Sequence, residues 1–324
     1  MANKTTTKLN EALSIFFKLT SQEITMSDKK DSIAPNQKQE QELRVDRSFD
    51  DVADHFEKKV YGGLKGDIRL AVLRRDIFEY VDELIKVLDR PLRILDVGAG
   101  LAQIAIELAT QGHSVVVNDI SATMLAKAQA SFQRLAVDKR DCEMNAFGEI
   151  KWIVCPYQEL SDKLSCETFD QESEKFDLIL CHALLEWLAE PAEVMEFFDD
   201  QLTATGALSL CFYNPASFEY RNLIMGNFNL LDGLVSADGY KADNKKSLTP
   251  NHPVAKLEVE RWLQDHHYDI ALESGLRVFH DYTPLKRGGH NVPEEVIRME
   301  LRYSRQEPFK RLGRYLHILA TRQD

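Results

Sequence analysis

Along the chain, apolar residues switch repeatedly between two spacings. Short runs rich in Leu, Ile and Val are apolar at nearly every position, as a strand covered on both faces requires. They fall at Arg93 to Val97, Ser114 to Asn118, Ile150 to Val154, Phe176 to Cys181 and Ala207 to Tyr213, the last entered through a turn at Thr205-Gly206. Between them, apolar residues recur every three or four positions, the spacing of one helix face. Such segments run from Ala102 to Ala109, from Ser121 to about Leu135, and through Val194, Met195, Phe197 and Phe198. Ser121 has the hydroxyl that an N-cap needs. Two helices precede the first strand. One carries Phe49, Val52, Ala53, Phe56 and Val60 and stops at Tyr61-Gly62-Gly63; the other runs from Lys65 to about Leu88. Strands alternating with helices predict an α/β fold whose parallel sheet is covered on both sides.

The alternation lapses from residue 214 to about 256. Phe218 to Phe228 has helical spacing, but Ser236 to Pro253 is polar, with Lys241, Lys245, Lys246 and two prolines. A loop of that length in a compact domain is functional or disordered. Leu257 to Leu263 is helical again, Tyr268 to Phe279 is strand-like, Glu294 to Arg305 is a helix, and Arg314 to Thr321 is a last strand. Residues 1–46 are rich in Thr, Lys, Gln and Glu, and only Leu9 to Leu19 has helical spacing. The expected organisation is a disordered extension over 1–46 and one domain over 47–324, with a substrate-side insertion at about 214–256.

Composition narrows the function. Five cysteines, odd in number and without a C-x-x-C pair, argue against a disulfide framework or a zinc site and for reduced thiols in the cytoplasm. No stretch approaches the roughly 20 apolar residues of a membrane span. The net charge of −12 disfavours nonspecific binding to nucleic acid, which needs cations to displace phosphate counterions. From Arg277 onward, however, ten Lys/Arg stand against six Asp/Glu, so a polyanion would meet a localised basic face.

The chemistry sits after the first strand. Asp96-Val97-Gly98-Ala99-Gly100 is a glycine-rich turn opening onto a helix, whose N-terminus offers free N–H groups. Dinucleotide enzymes need a third glycine in G-x-G-x-x-G; here Gly100-Leu101-Ala102 is followed by Gln103. An acid just before the turn, with Asp119 ending the next strand to accept from ribose hydroxyls, favours S-adenosyl-L-methionine over a nicotinamide or flavin. Tyr157-Gln158 follows the third strand, where an adenine would stack, and reads equally as a turn starting a helix. His182 follows the fourth strand, at the edge where open α/β sheets bind ligands, and reads equally as a core histidine.

Several segments together resemble the bacterial tRNA 5-carboxymethoxyuridine methyltransferases. They are Arg47 to Ala53, Tyr61 to Arg69, His182 to Trp187, Phe212 to Asn214, Met225 to Phe228, Arg277-Val278-Phe279-His280-Asp281-Tyr282, Arg302 to Pro308 and Leu312 to His317. The resemblance spans about Asp46 to Thr321. It implies a Rossmann-like class I methyltransferase with a mostly parallel seven-stranded sheet flanked by helices. It implies S-adenosyl-L-methionine as cofactor, the anticodon stem-loop of tRNA as partner, and methyl-ester formation on the carboxylate of the wobble nucleoside. It places cofactor contacts at Arg69, Gly98, Ala99, Asp119, Tyr157, Gln158 and His182. Ala99 and Ala102 stand where the family carries glycine, and Tyr157 where it carries alanine.

A carboxylate has a reference pKa of about 4 and is already ionised, so its methylation needs no general base and no catalytic residue in that sense. It needs donors that hold the acceptor; Tyr61, Lys65, Tyr213, Arg277 and His280 are the candidates. No metal is expected. Arg302, Arg305, Lys310 and Arg311, with the three lysines of the insertion, are candidate contacts to the RNA backbone. Two other readings stay open: a methyltransferase of a small metabolite, and a protein of this fold that binds the cofactor as a scaffold without catalysis.

Overall fold

The computed structural model describes Asp46, Ser48, Asp50 and residues 62–138, 147–165, 175–235, 250, 253–283 and 287–323. The expected extension short of Asp46, the helix of Phe49 to Val60, Tyr61, and Lys241, Lys245 and Lys246 lie outside the described residues. Everything described belongs to one compact unit, residues 43–324.

Seven strands form one sheet in the order β3-β2-β1-β4-β5-β7-β6. They are β1 (Arg93–Val97), β2 (Ser114–Asp119), β3 (Ile150–Val154), β4 (Phe176–His182), β5 (Leu202–Tyr213), β6 (Tyr268–Leu276) and β7 (Tyr315–Arg322). The first five are parallel; β7 runs antiparallel to both β5 and β6. The helices are α1 (Gly63–Leu88), α2 (Gln103–Ala109), α3 (Ala122–Asp138), α4 (Leu160–Ser165), α5 (Val194–Gln201), α6 (Pro215–Met225), α7 (Phe228–Val235), α8 (Lys256–Asp265) and α9 (Pro293–Tyr303). The sheet is mostly parallel, as the apolar runs require.

Alternate residues of each strand enter opposite cores. Ile94, Leu178 and Leu180 join Val72, Ile77 and Val81 of α1. Leu95, Ile179 and Cys181 join Val194 and Phe198 of α5 and Val259 and Leu263 of α8. Two covered faces explain why the central strands are apolar at every position rather than at every second one. Ser121 caps α3 as expected, its hydroxyl accepting from the Met124 N–H at 3.1 Å.

Three boundaries differ from the sequence reading. β6, expected to reach Phe279, ends at Leu276. β5 begins at Leu202, not after a turn at Thr205-Gly206. Buried Leu202 pairs with Phe176, and the register slips before Ala207 pairs with Leu178, so the polar stretch is an irregularity inside a strand. The helix expected from Phe218 to Phe228 is split. Pro215 starts α6, and Gly226, left-handed at φ +72°, ends it before α7 begins.

Candidate cofactor and acceptor site

β1 ends in the glycine turn at the carboxyl edge of the sheet. Gly98 and Gly100 are left-handed, at φ +63° and +56°, a conformation glycine adopts without penalty. A Cβ on Gly98 would stand 2.8 Å from Leu184 Cδ1, so a larger residue would have to displace that side chain as well as bear the left-handed backbone. Ala99 has an ordinary φ and donates its N–H to Asn118 O at 2.9 Å, so alanine is tolerated there. Ala102 is different. It is left-handed at φ +50° at the entry to α2, an alanine in a glycine's conformation.

Asp119 ends β2 and is clamped by this turn. Its Oδ2 accepts from the Gly100 N–H at 2.8 Å and its Oδ1 from the Ser121 N–H at 2.7 Å. Each oxygen keeps lone pairs for a diol. Burial raises the carboxyl's pKa, and the two N–H bonds oppose it. A cleft of about 690 Å³ opens here, lined by Gly98, Asp119, Tyr157, His182 and Leu188 among others. Tyr157 is buried, edge-on to Phe197, and burial pushes its phenol up to about 12. The exposed Gln158 donates through Nε2 to Asp46 at 2.8 Å, and Asp46 also accepts from the Ala189 N–H at 3.0 Å. Asp46 lines the cleft, and Asp50 accepts from Ser121 Oγ at 2.5 Å at the start of α3. Both acids precede the first strand, and neither is among the expected contacts, although Asp50 lies within the resembling segment Arg47 to Ala53.

A second hollow of about 430 Å³ adjoins the cleft, lined by Arg69, Asp96, Ala99, Gln103 and His182. It pairs a cation with an anion. Asp96 Oδ1 is buried with no hydrogen-bond partner, an expensive state unless a donor arrives. Burial pushes the Asp96 carboxyl well above the usual range; Asp119 adds to this and Arg69 opposes it. A diol acceptor in the cleft and an amino-acid zwitterion receptor in the hollow, with His182 lining both, fit the two ends of S-adenosyl-L-methionine.

Beyond the hollow lies a cationic cluster. The guanidiniums of Arg69 and Arg277 both lie against the Tyr315 ring, at 5.7 and 5.4 Å from its centroid. Arg314 lies 4.8 Å from the centroid of Tyr213, whose ring meets Tyr315 edge-on. Arg277 is left-handed at φ +59°, strained backbone of a kind that gathers at functional sites. It pairs with Asp281 at 3.1 Å. Arg277 Nε, Arg314 Nη1 and Asp281 Oδ1 are buried without hydrogen-bond partners. Burial lowers the Lys65 pKa; Asp281 opposes this, while Arg277, Arg314 and Arg221 add to it. His280 is buried, and its backbone N–H is held by Glu300 at 2.9 Å beside the Val278 N–H at 2.7 Å. The structure thus gathers Tyr213 and Arg277 at Tyr315, brings Lys65 within electrostatic reach of Arg277, and adds Arg221 and Arg314. Those two have no motif of their own, although Arg314 lies within a resembling segment.

Three of the candidate RNA contacts, Arg305, Lys310 and Arg311, make ion pairs within the fold. Arg305 bonds buried Asp76 at 2.6 Å and Glu79 at 2.7 Å, a structural role. Lys310 pairs with Glu273 and Glu307, and Arg311 with Glu307. Among the described residues no helix is long and apolar enough to cross a membrane, and no cluster is placed to hold a metal ion.

Residues 70–272 match the family described as "Methyltransferase domain". The tRNA 5-carboxymethoxyuridine methyltransferases of Escherichia coli strains K12 and O157:H7 are each 34% identical over 277 residues, 86% of this chain and 97% of theirs. The magnesium protoporphyrin IX methyltransferase of Synechocystis PCC 6803, solved with bound SAH, shares the fold at 16% identity, with a TM-score of 0.50 over 85% of this chain and 96% of that one. The general domain match ends before Arg277, Asp281 and Arg314; the match to the curated relatives is much longer.

Proposed function

The chain belongs to the tRNA 5-carboxymethoxyuridine methyltransferases, and from that premise we propose that it methylates the carboxylate of 5-carboxymethoxyuridine at the tRNA wobble position, forming the methyl ester. The observation that carries the assignment of the acceptor site is the pair of buried, unpartnered guanidinium nitrogens, Arg277 Nε and Arg314 Nη1, beside Lys65. Buried cationic donors without partners are costly unless an anion completes them.

The cofactor supplies, when bound, an electrophilic methyl group on a sulfonium. The chain's residues supply position. Asp119 and the glycine turn hold the ribose end; Arg69 and Asp96 hold the amino-acid end; Tyr157 borders the adenine side. Lys65, Arg277 and Arg314 hold the acceptor carboxylate, which arrives ionised and needs no proton removed. Asp281 takes part of the charge of Arg277, so the nucleophilic oxygen is oriented without being locked in an ion pair. Orientation of this kind supplies roughly 7–11 kcal/mol of a barrier.

The partner is the anticodon stem-loop, whose unstacked bases suit an enzyme that must reach one nucleotide. The active domain covers residues 47–324 and works in the cytoplasm, where tRNA is modified. Nucleoside mass spectrometry on tRNA from cells lacking the protein tests the reading. Unesterified 5-carboxymethoxyuridine should accumulate; a normal ester level would leave a small-metabolite acceptor as the better account.

A further inference from the structure

Four side chains form a hydrogen-bonded file across the sheet beneath the cofactor cleft. His182 Nε2 on β4 meets Ser209 Oγ on β5 at 2.8 Å. Ser209 Oγ meets His317 Nε2 on β7 at 2.9 Å. His317 Nδ1 meets Asp76 Oδ2 on α1 at 2.9 Å. Asp76, Ser209 and His317 have no exposed surface. The far end is anchored: Asp76 Oδ1 accepts from Arg75 Nη2 and Arg305 Nη2, both at 2.6 Å, and Arg75 also reaches Ser274 on β6. Packing alone does not call for such a file, because apolar side chains would fill a sheet core at less cost.

The donors can be worked out along the file. Asp76 is held ionised by His317 and Arg75 against its burial. A carboxylate only accepts, so His317 Nδ1 carries a proton. The Ser209 hydroxyl has one proton and lies between two ring nitrogens. If His317 is neutral, Ser209 donates to its Nε2 and accepts from His182 Nε2–H. His182 then presents Nδ1 as an acceptor. The groups around His182 are Ser209, His317 and Arg69, with Asp96 lining the same hollow; burial foremost, and then Arg69, disfavour a charged His182 ring.

We propose that Asp76, His317 and Ser209 are positioning residues that hold His182 as its Nε2–H tautomer, so that Nδ1 faces the cofactor cleft as a hydrogen-bond acceptor. His182 lines both the cleft and the hollow that contains Asp96. An acceptor there, beside unpartnered Asp96 Oδ1, suits an ammonium group, such as the amino end of the cofactor; this assignment rests on the reading of that hollow.

The test needs no cofactor. In protein labelled with ¹⁵N-histidine, two-bond ¹H–¹⁵N spectra at pH 8 report each ring's tautomer, with His182 assigned by loss of its signals in His182→Gln. The proposal expects Nε2–H for His182 in the wild type, a mixture of tautomers in Ser209→Ala, and restoration in Ser209→Thr. Affinity for S-adenosylhomocysteine should fall about tenfold in Ser209→Ala. An Nδ1–H tautomer in the wild type overturns the proposal, and this arm stands even if the variants fail to fold. An unchanged tautomer in folded Ser209→Ala overturns it too. Failure of the wild type to bind S-adenosylhomocysteine would instead remove the cofactor reading and leave the tautomer result intact.

Discussion

At the residue scale, the site is defined by polar groups whose burial leaves them incomplete. Truncating Arg277 or Arg314 to alanine removes a charge-assisted donor worth about 1.5–3 kcal/mol. Each variant should lose roughly ten- to hundredfold in kcat/KM for the tRNA acceptor while affinity for S-adenosylhomocysteine changes little, as steady-state kinetics beside calorimetry would show. Asp96 makes a pH prediction. Its carboxyl is raised well above its ordinary value by burial, so a cationic ligand must find it ionised. Cofactor affinity should climb as pH rises through that pKa, and binding should release protons; Asp96→Asn should bind weakly and lose both effects. Calorimetry in buffers of different ionisation enthalpy reads the proton count. Glu186 is buried, and burial pushes its carboxyl up to about 7, against opposing backbone bonds and Arg69. A carboxyl raised in the folded state contributes stability that is complete below the unfolded pKa and lost as pH rises through the folded one. Glu186→Gln should therefore raise Tm at pH 8 and change it little at pH 5. Ala102 carries a left-handed backbone penalty of about 1 kcal/mol, and Ala102→Gly should recover part of it.

At the element scale, the central sheet was legible because two-sided burial writes continuous apolar runs, and β1 and β3 fall on the residues the runs mark. The start of β5 was not. Thr203 to Gly206 is polar, and only the distant pairing of Leu202 with Phe176 makes it part of a strand. The break between α6 and α7 was written locally in Gly226 and was overridden by the apolar spacing around it. The end of β6 depends on a contact no local pattern shows. A Cβ on Gly275 would stand 2.2 Å from Lys310 O, and one on Gly313 would stand 2.6 Å from Gly275 Cα. Gly275→Ala should push β6 away from the 3-10 turn at Phe309–Leu312, lower Tm, and displace Arg277 two residues on. Loss of acceptor binding at a temperature where the variant is still folded would register that displacement.

At the scale of the whole molecule, charge is where the linear reading departs furthest from the structure. A basic C-terminal stretch in a chain of net charge −12 suggested an RNA-binding face. Folding spends Arg305 on Asp76 and pairs Lys310 and Arg311 with glutamates. Among the described residues, Arg221, Arg277 and Arg314, far apart in sequence, are brought within electrostatic reach of Lys65 on α1 by α6 and the ends of β6 and β7. The cofactor loop was legible because its conformation dictates its residues. The acceptor site was legible only in part, because its charge is assembled by topology. The most direct measurement is methyl transfer from labelled S-adenosyl-L-methionine, by purified protein, to two tRNAs that differ only in the carboxymethoxy group at the wobble uridine. Label should enter only the tRNA bearing the carboxylate and should be released by mild base as an ester is. Equal labelling of both tRNAs, or none of either, would contradict the account.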